Sequence, residues 1–202
     1  LGVNMHFAYV LNVERRRQMA AAAGDERRTR AFGESLAEMA SDGIVFASAG
    51  SELGQDLTRP ATTATRTEDG WTISGRKVFC TMSPAADVLY VSVTFADGDG
   101  RERYGYALVP RETAGVVVHD DWDALGMRAS GSHSVTFDGV HVPRSALRGG
   151  FPAGDGEAYM DRNTVAGLFH ASASLGIAEG AAATAAAAAG RRGEPDARAR
   201  TL

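Results

Sequence analysis

Residues 88–109 read VLYVSVTFADGDGRERYGYALV, and the reading of this stretch decides the fold. Residues 88–95 and 103–109 are rich in β-branched and aromatic side chains, and Asp97-Gly98-Asp99-Gly100 lies between them. Asp-Gly between alternating runs signals a hairpin, because the tight turn needs positive φ. The same pattern repeats outward in both directions, at residues 44–46, 62–66, 71–74, 77–81, 116–119 and 135–137. Glu68-Asp69-Gly70 and Asp138-Gly139 supply further turn signals. About eight short strands in roughly a hundred residues predict an antiparallel β-barrel or sandwich.

Helical patterns flank this block. Phe7, Val10, Leu11 and Val13 mark a first helix over about residues 3–22, and Gly24 stands where a helix stop belongs. Asp25 can cap a second helix, on which Phe32, Leu36 and Met39 recur at three- and four-residue steps as a narrow apolar stripe. After Pro143 comes a glycine-rich passage, Gly149-Gly150-Phe151-Pro152, then a third helix over about residues 159–189. Its alanine-rich end is the strongest helix-forming material in the chain. The expected class is α+β, with residues 1–42 helical, residues 43–148 a central β-barrel, and residues 149–202 a linker and further helix.

The totals exclude several functions. The 202 residues are 44% hydrophobic and 23% charged with net charge −4, so no basic field recruits nucleic acid. No apolar run approaches the ~20 residues of a membrane span. Cys80 is the single cysteine, which excludes an internal disulfide and a cysteine-rich zinc site. The chain opens at Leu1 within a helical pattern, with no charged leader, and closes after a charged stretch. It is expected to be cytoplasmic and an internal part of a longer protein. Lys77 is its only lysine.

The five histidines have no metal-site spacing, no G-x-S-x-G frame is present, and no G-x-G-x-x-G or P-loop occurs. Cys80 between Phe79 and Thr81 reads as a buried thiol. Two loops remain. In Ala49-Gly50-Ser51-Glu52-Leu53-Gly54-Gln55-Asp56, backbone N–H groups can meet a planar electron-accepting ligand. In Phe79-Cys80-Thr81-Met82-Ser83-Pro84, a ring can cover a flat heterocycle while the neighbouring hydroxyl meets its edge. The alternative for each is a turn whose Ser and Thr satisfy their own backbone.

These loops and the stretches around them resemble the acyl-CoA dehydrogenases and their flavin-dependent relatives. Trp71-Thr72-Ile73-Ser74-Gly75-Arg76-Lys77-Val78-Phe79-Cys80-Thr81 is similar to the family's y-x-I-x-G-x-K-x-[WF]-I-[TS]. Residues 125–143, opening Leu125-Gly126-Met127-Arg128, match LGMR-[GA]-[ST]-x-[ST] through V-x-V-P without a gap. Residues 161–180 resemble the first long helix of the family's carboxyl-terminal bundle. The resemblance covers nearly the whole chain and about half of a complete family member.

The resemblance implies a flavoenzyme. Phe79 would pack against FAD, with Cys80 and Thr81 at the isoalloxazine edge and Ser51 at the Thr/Ser of the [ST]-E-P-x-x-G-S-D loop. Glu52 and Gly54 would face the substrate, although S-E-L-G-Q-D is two residues shorter than that pattern and lacks its proline. Ala166 and Gly167 fall where many members carry an alternative glutamate base and a substrate-binding arginine. No catalytic residue is assigned, since the usual glutamate lies in the family beyond the position of Leu202. The implied reaction is α,β-dehydrogenation of an acyl-CoA with hydride transfer to flavin N5, in a homo-oligomer with an electron-transfer partner. The alternative is a two-component monooxygenase using FMN, a flavin reductase and a non-CoA substrate. A non-catalytic interaction domain is the third reading.

Overall fold

The computed structural model describes residues 2–191, apart from the side chains of Arg148, Arg162, Val165 and Arg191. The charged stretch after Arg191 lies outside them. The chain divides into two compact units, Leu1–Ala166 and Gly167–Leu202.

The first unit opens with two helices, α1 (Gly2–Ala22) and α2 (Glu26–Asp42). Asp25 caps α2 as expected, its carboxylate accepting from Arg28 N–H at 2.9 Å. Gly43, at φ 65°, ends it by donating its N–H to the Met39 carbonyl. Such a C-cap belongs to glycine because a Cβ penalises the left-handed conformation. The expected stripe is the buried one. Phe32, Leu36 and Met39 join Tyr9, Val10 and Val13 to pack on Phe46, Val88, Tyr90 and Leu108 of the sheet.

Eight strands follow: β1 (Phe46–Ala49), β2 (Thr63–Arg66), β3 (Gly70–Cys80), β4 (Val88–Ala96), β5 (Glu102–Pro110), β6 (Val116–Val118), β7 (His133–Pro143) and β8 (Leu147–Pro152). Their order is β6-β7-β3-β2-β4-β5-β8, with β1 also on β4. The β4–β5 hairpin forms as read, Val88 opposite Pro110 through Ala96 opposite Glu102. The sheet is mixed, not wholly antiparallel. β1 and β2 run parallel to β4, lying in succession along one of its edges. Besides the helix–sheet cluster, a second core cluster is built from Ala47, Ile73, Leu89, Val91, Val93, Val109, Val135, Phe137, Val140 and Val142 with their neighbours.

Three local expectations are corrected. Residues 71–74 and 77–81 are one strand, β3, because Gly75 lets it pass hard against Thr62. Asp138-Gly139 is not a hairpin turn but a bulge inside β7. Pairing slips there from Gly75 opposite Phe137 to Ile73 opposite Val140, and Gly139 takes φ 61°. The glycine-rich passage at 149–152 is β8, antiparallel to β5, rather than a linker. Helix α3 (Gly156–Arg191) then begins, with the Asp155 carboxylate accepting from Ala158 N–H. The second unit carries α3 onward from Gly167, with Leu168, Leu175 and Ile177 exposed. No described helix is long and apolar enough to cross a membrane.

Candidate functional site

The two singled-out loops meet. Val78 N–H donates to the Ser51 carbonyl at 2.9 Å, the bridge that sets residues 51–56 beside the end of β3. One residue later β3 bulges: Lys77 pairs with Val135 and Cys80 with His133, leaving an extra residue on the β3 side. The bulge puts Phe79 in the left-handed conformation, φ 55°, and leaves it 61% exposed. Large side chains rarely adopt this backbone, and bulges of this kind collect beside functional sites because they re-aim a side chain.

The neighbouring positions divide the work. Cys80 points into the core, and burial pushes its thiol up to about 12, so it stays protonated and inert at neutral pH. Only the Cys80 backbone can serve the site. Thr81 is half-buried in the turn after β3, not in a strand. Its hydroxyl is 2.9 Å from that of Ser132, which lies 2.7 Å from that of Ser130. The Met82 N–H donates to the Ser130 carbonyl at 2.8 Å and ties this turn to the 128–132 segment. Gly54 sits at the exposed tip of its loop at φ 69°, with open space where a Cβ would stand.

Glu52 departs from expectation. Its carboxylate faces inward, with 6% of the side chain exposed. One oxygen accepts from Lys77 Nζ at 2.6 Å, from Thr62 N–H at 2.9 Å and from the Thr62 hydroxyl at 2.6 Å. The other accepts from Ala61 N–H at 2.6 Å. Lys77, wholly buried, also donates to the Ser92 hydroxyl at 2.9 Å, which in turn donates to the Gly50 carbonyl at 3.0 Å. Burial opposes the Glu52 charge most strongly, but the bonds from Lys77 and Thr62 outweigh it and hold its pKa below the ordinary value. For Lys77 burial wins over Glu52, and its pKa falls. The pair fastens both ends of the 50–62 excursion to the inner face of β3. A carboxylate so fully partnered is an anchor rather than a ligand contact.

The other wall is the segment after β6. Trp122 lies edge-to-face with Phe79, ring centres 6.2 Å apart at 88°. His133 Nδ1 accepts from the N–H groups of Asp121 and Trp122 at 3.0 and 3.1 Å. The Asp121 carboxylate accepts from Ser134 N–H at 2.8 Å and from the Ser134 hydroxyl. The Ser134 side chain and then its backbone N–H lower the Asp121 pKa. Sequence reasoning missed Lys77, Trp122, Ser130 and Ser132 as members of this region. Lys77, Ser130 and Ser132 lie within the two motifs quoted above, and Lys77 is also the only lysine of an arginine-rich chain. Among the described residues no cluster of metal ligands occurs.

The arrangement can hold a flat heterocycle: an exposed ring on a strained bulge, a second ring at right angles, and a row of hydroxyls beside them. Residues 45–140 match the acyl-CoA dehydrogenase middle domain. The chain is 39% identical over 135 residues to L-evernosamine nitrososynthase of a Micromonospora species, spanning 66% of this chain and 32% of that protein. It is 34% identical over 141 residues to benzylmalonyl-CoA dehydrogenase of Aromatoleum aromaticum, covering 69% of this chain and 36% of that protein. Amine N-hydroxylase, further nitrososynthase and dibenzothiophene monooxygenase sequences are similar as well. Among solved structures, KijD3 in complex with FMN and a dTDP-amino-keto sugar superposes with a TM-score of 0.81 at 29% identity, over 98% of this chain and 47% of that one. The chain thus spans about a third of the curated relatives and about half of that solved structure.

Proposed function

Because the chain belongs to the acyl-CoA dehydrogenase family, we propose that its β-barrel domain is the flavin-contacting part of an oxygenase that oxidises an amine or another heteroatom of a small, non-CoA substrate. The observation that carries the flavin assignment is Phe79. A large aromatic residue held at positive φ and left 61% exposed serves no core, and its face suits a planar ring. The donor set fits too: the Thr81 hydroxyl can turn from Ser132 to a polar ring edge, and Ser132 keeps Ser130 as partner.

When bound, a reduced flavin would supply the two electrons with which dioxygen gives one oxygen atom to the substrate and the other to water, the flavin itself being oxidised. Phe79 shields one ring face from solvent, Thr81 orients the edge, and the Glu52–Lys77 pair holds the Ser51 backbone in register. Between the family's chemistries, three features support oxygenation. The nitrososynthase resemblance is the highest identity quoted above, the 51–56 loop is two residues short, and Ala166 and Gly167 offer neither a base nor a cation. FMN, delivered reduced by a separate reductase, is the expected flavin; FAD belongs to the dehydrogenase reading.

The test uses the full-length protein in its natural assembly. FMN binding should be lost or weakened at least tenfold in Phe79→Ala and reduced in Thr81→Val. With reduced FMN and oxygen, an amino sugar nucleotide or a simple alkylamine should gain one oxygen by mass spectrometry. Anaerobic bleaching of bound flavin by an acyl-CoA, with no oxygenated product under air, would overturn oxygenation in favour of dehydrogenation. Unchanged flavin occupancy in both variants would overturn the site itself.

A further inference from the structure

Trp122 is over-determined for a residue outside any core. It follows β6 in an irregular segment, yet two hydrogen bonds of its own and a set of bonds through its neighbour Asp121 fix it. Its N–H and that of Asp121 both donate to His133 Nδ1, which must therefore be the unprotonated ring nitrogen. The Asp121 carboxylate is held by Ser134, and Arg76 donates to the Ser134 hydroxyl at 3.0 Å. The indole Nε1 donates to the Met127 carbonyl at 3.4 Å. Met127 itself takes φ 55°, so the backbone on this side is strained as Phe79 is on the other. The product of all this is an indole only half-buried, whose sole ring neighbour among the described residues is the exposed Phe79. Stabilising one edge-to-face pair at a surface is worth about 1 kcal/mol, too little to account for two strained residues.

We infer that Trp122 is a binding residue for the flavin, the second wall of its site, set perpendicular to Phe79 so that a ring stacked on Phe79 presents its edge to the indole. This inference rests on the flavin reading and deepens it. Among the described residues nothing else offers a comparable wall: the other tryptophan, Trp71, packs edge-on against Phe95 at 5.5 Å on the core of the sheet.

An indole in contact with an excited flavin donates an electron and extinguishes its emission, which a phenyl ring does not do. The experiment measures emission per bound FMN in the full-length protein, with occupancy fixed separately by equilibrium dialysis. Wild type and Trp71→Phe should be dim; Trp122→Phe should brighten several-fold at equal occupancy. Trp122→Ala should weaken FMN binding about tenfold, and Trp122→Phe should restore most of that affinity. Bound FMN as dim in Trp122→Phe as in wild type, or equal brightening in Trp71→Phe, would overturn the inference and leave the flavin reading standing. Failure of the wild type to bind FMN by dialysis would overturn both.

Discussion

Phe79 and Gly75 sit four residues apart on one strand, both at positive φ, and predict opposite responses to substitution. A Cβ at Gly75 would stand 2.4 Å from the Thr62 hydroxyl and 2.7 Å from the Thr62 Cα. The second is backbone and cannot swing aside, and Thr62 also serves Glu52. Gly75→Ala should therefore cost about 3 kcal/mol in urea denaturation. At Gly139, φ 61°, a Cβ meets nothing, so Gly139→Ala should cost only the left-handed strain, about 1 kcal/mol. Equal costs would refute the packing argument. Phe79→Gly removes strain instead of adding it. It should leave stability unchanged or raised by up to about 1 kcal/mol while flavin retention falls. A loss of both together would mean that Phe79 is structural.

Among elements, the joint between β3 and the 50–62 excursion carries the largest electrostatic stake. Glu52→Gln leaves the Lys77 ammonium buried without a counter-charge, whereas Lys77→Met leaves Glu52 with Thr62 and Ala61. Both should destabilise, Glu52→Gln by about 3 kcal/mol or more and Lys77→Met by less. The double variant should recover part of the loss, since no unpaired charge remains. A Lys77→Met cost exceeding that of Glu52→Gln would reverse this account. The sign with pH follows from Glu52. Its folded pKa lies below the unfolded value near 4.5, so its contribution is complete at neutral pH and disappears as pH falls through the folded value. Asp121, lowered by Ser134, adds loss in the same acidic range and the same direction. Denaturation midpoints should fall below about pH 4 in wild type, less steeply in Glu52→Gln.

At the scale of the whole molecule, stability is unevenly spread between the two units. The first unites two helices and eight strands around a closely packed core. In the second, the described part of α3 keeps Leu168, Leu175 and Ile177 60–68% exposed, and its alanine run depends on helix propensity more than on burial. Hydrogen exchange on this 202-residue chain should show the amides of β3, β4 and β7 exchanging only on global unfolding. Those of α3 beyond Gly167 should exchange by local opening, at least a hundredfold faster. Uniform protection across both would overturn the division.

By itself the sequence determined the strand block, the helix pair with its Asp25 cap, the β4–β5 hairpin and the two loops that meet at the site. These follow from local rules: alternation, capping chemistry and turn glycines act within a few residues and leave their mark there. Only the tertiary structure decided that Asp138-Gly139 bends a strand instead of ending it, because the choice depends on the partner β3 across the sheet. It alone decided that 149–152 pairs with β5, and that β1 and β2 share an edge of β4 in parallel. The site divides in the same way. The motif singled out Phe79 and Thr81, but the inward turn of Glu52 depends on Lys77, 25 residues away, and the place of Trp122 depends on His133 across a loop. A charge buried from water must find its counter-charge wherever the fold brings one, and that distance in sequence is what local pattern cannot register.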